Sequence, residues 1–240
     1  MKHHDVIWIG TGQATGTVLP RLSQAGISVA VIEAGRFGGS CVNYGCTPTK
    51  TLVASARAAH MARRGADFGV EIDGFSIDFD KVMARQNTIR NSGSSGLAQG
   101  ISALNGVEIY RGYGVFKDSH TVVVGDAELS ADTIVVHTGA RPRTPPIPGL
   151  DSVEWLDNVR LLDLKELPRH LVIIGGSYIS LEFAQVFRRL GSEVTILARG
   201  QQLMPREDAD IAGIARDVLT KEGIQICFDI DIEAVAPVEE

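Results

Sequence analysis

Apolar residues in the N-terminal region come in short unbroken runs separated by glycine. Asp5-Val-Ile-Trp-Ile9 reads as a buried strand, Gly10-Thr-Gly12-Gln-Ala-Thr-Gly16 as a turn, and the stretch to about Ala25 as a helix. A second strand, 28–32, ends at Glu33. The same order of elements returns 165 positions later: strand His170 to Ile174, turn Gly175-Gly-Ser-Tyr-Ile-Ser180, helix to Leu190, and strand Glu193 to Leu197. Gly10 aligns with Gly175 and Gly26 with Gly191. Between the repeats a helical pattern runs from Phe79 to Leu104, through the linker-like Asn91-Ser-Gly-Ser-Ser-Gly96. Asp208 to Glu222 reads as a further helix. Arg141-Pro-Arg-Thr-Pro-Pro-Ile-Pro148 blocks helix and central strand alike, which predicts a boundary between domains 1–148 and 149–240.

Each repeat is strand, glycine turn, helix, strand. That arrangement aims backbone N–H groups and a helix N-terminus at a pyrophosphate, so the chain reads as α/β with two Rossmann-like dinucleotide-binding units, the second truncated. Neither turn matches G-x-G-x-x-G fully. The first has Gly10 and Gly12 but Thr15 at the third glycine; the second has Gly175, then Ser177 and Ser180. The two copies differ in an informative way. Glu33 ends the second strand of the first unit and suits a ribose without a 2′-phosphate, as in FAD or NAD. Its counterpart is Ala198, followed by Arg199 and, seven residues on, Arg206. The second unit therefore leans towards NADPH, with NADH second, because guanidinium groups pair with a 2′-phosphate. The alternative is that both arginines are solvated loop residues.

Composition narrows the function classes. Hydrophobic residues make up 44% and charged residues 22%, within the range of ordinary globular domains, and the net charge of -6 gives no basic field for nucleic acid. No apolar run is long enough for a membrane helix and none makes a signal-peptide core, so the expectation is a cytoplasmic protein with no membrane partner. Three cysteines are too few for a secreted disulfide scaffold. Two of them, Cys41 and Cys46, sit in Gly38-Gly-Ser-Cys-Val-Asn-Tyr-Gly-Cys-Thr-Pro-Thr-Lys50, just before an Ala-rich helical stretch reaching about Arg64. Helix N-termini lower thiol pKa values, and the neighbouring glycines and Asn43 make a poor apolar site, so a redox pair is favoured over packed thiols. Cys227, in Ile224-Gln-Ile-Cys-Phe228, reads as a core residue.

This cysteine segment closely resembles that of the class I pyridine nucleotide-disulfide oxidoreductases, which include glutathione reductase, dihydrolipoamide dehydrogenase and mercuric reductase. His137-Thr-Gly-Ala-Arg-Pro142 resembles the family's second FAD motif, with His137 where a small residue is usual, and Gly112-Tyr-Gly114 matches a segment whose backbone contacts the adenine. Gly39, Ser40, Gly114, Thr138 and Gly139 are by that likeness expected to contact FAD, together with Lys50. The resemblance implies that NADPH reduces the flavin, which reduces a Cys41–Cys46 disulfide. Cys46 would be the thiolate near the flavin and Cys41 the thiol that exchanges with substrate. Lys50 would stand beside the flavin, paired with Glu182, and Tyr178 would gate the nicotinamide. Taken singly, Glu182 also suits the first turn of its helix and Tyr178 suits ordinary packing.

The segment around Ala198-Arg199 and Arg206-Glu-Asp looks most like mercuric reductases. The expected substrate is thus a disulfide, a metal ion or a quinone. A dihydrolipoamide dehydrogenase or glutathione reductase type of enzyme is the alternative, and a non-catalytic nucleotide-binding module or redox sensor is the alternative of another class. Family members continue beyond the point matching Glu240 into a domain that forms a homodimer and donates a histidine to the partner's cysteine pair. The expectation is a homodimeric parent protein and little turnover from the 240-residue chain alone.

Overall fold

The computed structural model describes residues 1–238. Packing divides them into two compact units that interleave along the chain. The first comprises Met1–Pro48 and Asn87–Pro142; the second comprises Thr49–Gln86 and the chain from Arg143 onward. The sequence places one boundary near Pro148; the packing units change over after Pro142, within residues 137–149, which lie outside regular helix and strand. Packing adds a second exchange, because Thr49–Gln86 joins the later core.

In the first unit, β1 (Lys2–Ile9), β2 (Val29–Glu33), β3 (Val107–Arg111), β4 (Val115–Phe116), β5 (Thr121–Val124) and β6 (Ala127–Val136) form one sheet in the order β3-β2-β1-β6-β5-β4. Strands β3, β2, β1 and β6 run parallel, while β5 and β4 add an antiparallel edge. The unbroken apolar run Val6–Ile9 reflects burial on both faces of β1, as a parallel centre strand requires. One face packs Ile7, Ile9, Ala30 and Ile32 with Val122 and Leu129; the other packs Val6, Trp8, Val29 and Val31 with Leu19 of helix α1 (Thr15–Gln24).

Helix α2 (Gly39–Tyr44) follows a left-handed Gly38, and α3 (Cys46–Arg63) follows after Gly45 alone. Helix α4 (Phe79–Ser102) runs without a break through Asn91–Gly96, as its pattern predicts. One of its glycines has a packing reason: a Cβ on Gly93 would press within 3.2 Å of Val42.

In the second unit, a short α5 (Asn158–Leu161) precedes three parallel strands, β7 (His170–Ile174), β8 (Glu193–Leu197) and β9 (Gln225–Cys227), in the order β7-β8-β9. Helices α6 (Tyr178–Leu190) and α7 (Ala209–Lys221) connect them. Phe183, Ala184, Val186, Phe187 and Leu190 form the buried stripe of α6 at helical spacing. That stripe packs against Leu52 and Ala56 of α3 and Met83 of α4. Cys227 is a free, half-buried thiol at the end of β9 rather than a core residue. Among the described residues no helix is long and apolar enough to cross a membrane.

Candidate functional site

Parallel strands end on the same side of a sheet, and the loops that follow them gather there. In the first unit the ends of β1, β2, β3 and β6 bring together Gly10–Gly12, Glu33, Gly112–Gly114 and His137–Gly139. The turn is tightly fixed. Gly10 has φ +99 and donates its N–H to Ile32 O at 2.8 Å, while His137 N–H donates to Ile9 O at 2.8 Å. A Cβ on Gly10 would overlap the His137 carbonyl. Gly39, at φ +59, lies so close to Gly12 that its own Cβ would stand 2.8 Å from the Gly12 Cα.

Thr15, where the fingerprint has its third glycine, is fully buried, and its hydroxyl accepts a hydrogen bond from Trp8 Nε1 at 3.2 Å. The departure from the pattern therefore has a local cause: a buried indole N–H needs an acceptor.

Glu33 is held by the turn itself. Its Oε2 accepts from Thr11 N–H at 2.9 Å and from Thr11 Oγ1 at 2.5 Å, and Oε1 accepts from Gly35 N–H at 2.7 Å. A carboxylate has about four lone-pair positions, so a position on Oε1 remains for a ribose hydroxyl. Gly112 N–H donates to Glu33 O at 3.0 Å, and Gly114 packs where a Cβ would meet Val122 and Ile32. Thr138 and Gly139 are exposed, Gly139 with φ +69.

The cysteine pair belongs to the first unit as well. Cys41 on α2 and Cys46, the first residue of α3, form a disulfide with Cα atoms 4.7 Å apart. Asn43, fully buried between them, braces the segment. Its amide donates to Phe37 O at 2.8 Å and Gly39 O at 2.9 Å, and its Oδ1 accepts from Arg36 Nε at 2.9 Å. Arg36 also bonds Asn91 of α4. Asn43, Arg36 and Asn91 had no signal as site residues, because their partners are distant or backbone. Ser40 is exposed on α2.

The second unit repeats the turn. Gly175 has φ +108 and donates to Leu197 O at 2.8 Å, the counterpart of Gly10 to Ile32. Ser177 caps α6 without a side-chain hydrogen bond, and Tyr178 is 66% exposed. Ala198 is buried where Glu33 stands in the first unit. Met204, in the left-handed region at φ 47, donates its N–H to Gly176 O at 2.7 Å, which ties the loop from Arg199 to Arg206 to the glycine turn. Both arginines are exposed and bond no other described residue. Lys50 of α3 and Glu182 of α6 form an ion pair within this unit.

A recess of about 730 Å³ in the second unit lies elsewhere, lined by His60, Arg63, Arg64, Arg189, Lys221 and Glu222 among others. It collects the C-terminal ends of α3, α6 and α7, where basic residues complement three helix dipoles. Burial alone would push the Glu222 carboxyl up, but hydrogen bonds from Arg189 at 2.6 and 2.7 Å hold it below the usual range. Burial, then the Arg189 charge, lowers His60. This is a structural charge network.

The model of the family described as pyridine nucleotide-disulphide oxidoreductase matches residues 4–240. The chain is 33% identical to a dihydrolipoyl dehydrogenase of Acholeplasma laidlawii, over 98% of this chain and 71% of that protein. It is 32% identical to a mercuric reductase of Bacillus cereus, over 97% of this chain and 37% of that protein. A solved structure described as a Cu(II) complex of the HOCl-induced flavoprotein disulfide reductase RclA from Escherichia coli superposes with a TM-score of 0.88 at 34% identity, covering 100% of this chain and 52% of that one. The chain thus spans about half the length of several relatives, and its α/β architecture matches the Rossmann-like region of a flavoprotein disulfide reductase. Repeated turn, paired cysteines and matched fold agree: the chain belongs to the pyridine nucleotide-disulfide oxidoreductase family.

Proposed function

We propose that this chain carries the cofactor-binding and dithiol parts of an FAD-dependent oxidoreductase that takes electrons from NADPH and delivers them through Cys41 and Cys46 to a small disulfide, metal ion or quinone. The observation that carries the reading is the Cys41–Cys46 disulfide at the N-terminus of α3, in the unit whose strand ends form the glycine turn.

The first unit fits FAD. Gly10, Gly12 and Gly39 hold the turn backbone close together without side chains of their own, and the N-terminus of α1 offers a positive dipole end to a diphosphate. Glu33 has a lone pair left for a ribose hydroxyl, and Gly114, Thr138 and Gly139 edge the same strand ends. Bound FAD supplies two-electron transfer between a nicotinamide and a disulfide.

The residues of the chain do the rest. Breaking the Cys41–Cys46 bond takes two electrons and gives two sulfur atoms, with a proton on Cys41 and Cys46 left as thiolate. Cys46 heads an 18-residue helix, whose N-terminal dipole favours that thiolate. Lys50, one turn on, adds positive charge, and Glu182 orients it. The pair is exposed enough that it contributes little stability, about 0–1 kcal/mol, so its value lies in positioning. Cys41 then attacks a disulfide substrate or binds a soft metal ion.

In the second unit Gly175 and Ser177 receive the pyrophosphate, Tyr178 covers the nicotinamide position, and Arg199 and Arg206 pair with the 2′-phosphate. Names of relatives support both a metal-ion and a disulfide acceptor: a mercuric reductase, and a flavoprotein disulfide reductase solved as a Cu(II) complex.

Anaerobic thiol titration tests the reading. With FAD and NADPH present, accessible thiols under denaturing quench should rise from one, Cys227, to three. No rise with either NADPH or NADH would sink it, and a rise with NADH alone would move the chain to the dihydrolipoyl dehydrogenase type.

A further inference from the structure

The second glycine of a dinucleotide turn lacks a side chain so that the diphosphate can approach the backbone. In this chain another side chain enters that space. The imidazole of His137, arriving from the end of β6, lies where a Cβ on Gly12 would collide with its Nε2 and Cδ2. Its ring is tilted over the buried Trp8, with centroids 5.9 Å apart, and its backbone is fixed by the bond to Ile9 O. The residue is half-buried, and neither ring nitrogen has a hydrogen-bond partner among the described residues.

The second unit solves the same packing problem differently. The position matching Gly12 is Ser177, which carries a side chain of its own and caps α6 without a side-chain hydrogen bond. A half-buried ring with unpartnered nitrogens, close to the N-terminus of α1, is suited to an oxyanion.

Resting on the reading that the first unit holds FAD, we propose that His137 is a diphosphate-binding residue, its ring N–H donating to the cofactor beside Gly12. A hydrogen bond to a charged acceptor contributes enough that its loss weakens binding about tenfold or more. The imidazole thus adds a side-chain contact to a turn that otherwise offers only backbone donors.

The test measures binding of FAD by flavin fluorescence, and of ADP and adenosine by competition, for the full chain and three variants. His137→Leu keeps bulk over Trp8 without a donor, His137→Gln keeps a donor, and His137→Ala removes both. Unfolding of each variant without FAD is followed by circular dichroism. The expected result is FAD and ADP affinity about tenfold weaker for His137→Leu, near wild type for His137→Gln, and adenosine unchanged throughout. Equal or tighter FAD binding by folded His137→Leu overturns the proposal, since the ring would then only fill space. A folded wild-type chain that binds no FAD overturns the FAD reading itself, and this proposal with it.

Discussion

The two glycine turns share one backbone and differ in what surrounds it. Gly10 and Gly175 have nearly the same φ and donate the same hydrogen bond to the residue 22 positions on. Around Gly10 the turn is closed in by backbone: the His137 carbonyl on one side, and Gly39 against Gly12 on the other. Around Gly175 the nearest obstacle to a Cβ is Ser180 Oγ, 3.8 Å away. A turn packed by backbone on two sides cannot adapt its shape, whereas one facing side chains and a tethered loop can. Under the proposed function, the first would be a rigid seat for FAD and the second a more yielding one for the nicotinamide coenzyme.

The largest effect belongs to a feature without counterpart in the second unit. Cys46→Ser should abolish coenzyme-dependent thiol formation, leaving two thiols before and after reduction, read by thiol titration. Persistent formation of new thiols would mean that electrons reach another acceptor.

Next come the glycines. Gly10→Ala combines a left-handed residue with overlap of a backbone carbonyl, and should destabilise the first unit by about 3 kcal/mol or more. Gly175→Ala meets open space and should cost about 1–2 kcal/mol for the conformation alone. Urea unfolding of both variants checks the order, and equal losses would break the contrast between closed and open turns.

Arg199→Glu should lower NADPH affinity about 10-fold to 100-fold through loss of a charge-assisted bond, and leave FAD binding unchanged. Isothermal titration with NADPH and NADH reads this. Unchanged preference would return the arginine to the role of a solvated loop residue.

The smallest effect is one of pH, and here the units should behave alike. His4 in the first and His60 in the second are both held below the ordinary value of 6.5, chiefly by burial. Their unfolded forms bind protons more readily. The stability they contribute is therefore full above about 6.5 and is lost as pH falls through the folded values. Glu222, also depressed, adds a loss as pH falls below 4.5 through its folded value. Thermal melts of the wild type and of His60→Asn between pH 7 and 4 should show a smaller decline for the variant in the upper part of that range.

Repetition made much of this fold legible. Strands β7 and β8 have the bounds that their apolar runs predict, because parallel central strands concentrate hydrophobic residues between glycines. Helix α4 persists through Asn91–Gly96, where Ser94 is buried and Gly93 lies against Val42. The antiparallel edge β4–β5 left no readable pattern, for its pairing depends on the long β6 at its side. At the site, the cysteines, the glycines and Glu33 stood out by type and spacing, whereas Lys50 and Glu182 were expected only through the family resemblance. Helix α2 was not, since the glycine-flanked Cys41 reads as loop and its helix is pinned by Asn43. The bracing role of Asn91 was equally hidden, because a partner more than 50 residues away leaves no local signal.

The interleaving of the two cores has a consequence for biosynthesis. Leu52, Ala56 and Met83 find their partners Phe183, Ala184 and Phe187 only after more than a hundred further residues have been made. At about 5–20 residues per second, that leaves an apolar helix face waiting roughly 5–30 s on the ribosome. The first core is complete in sequence by Pro142, well before this wait ends. The nascent chain would then carry a finished lobe with a sticky loop looped out of it, a form that a holdase chaperone is built to shield.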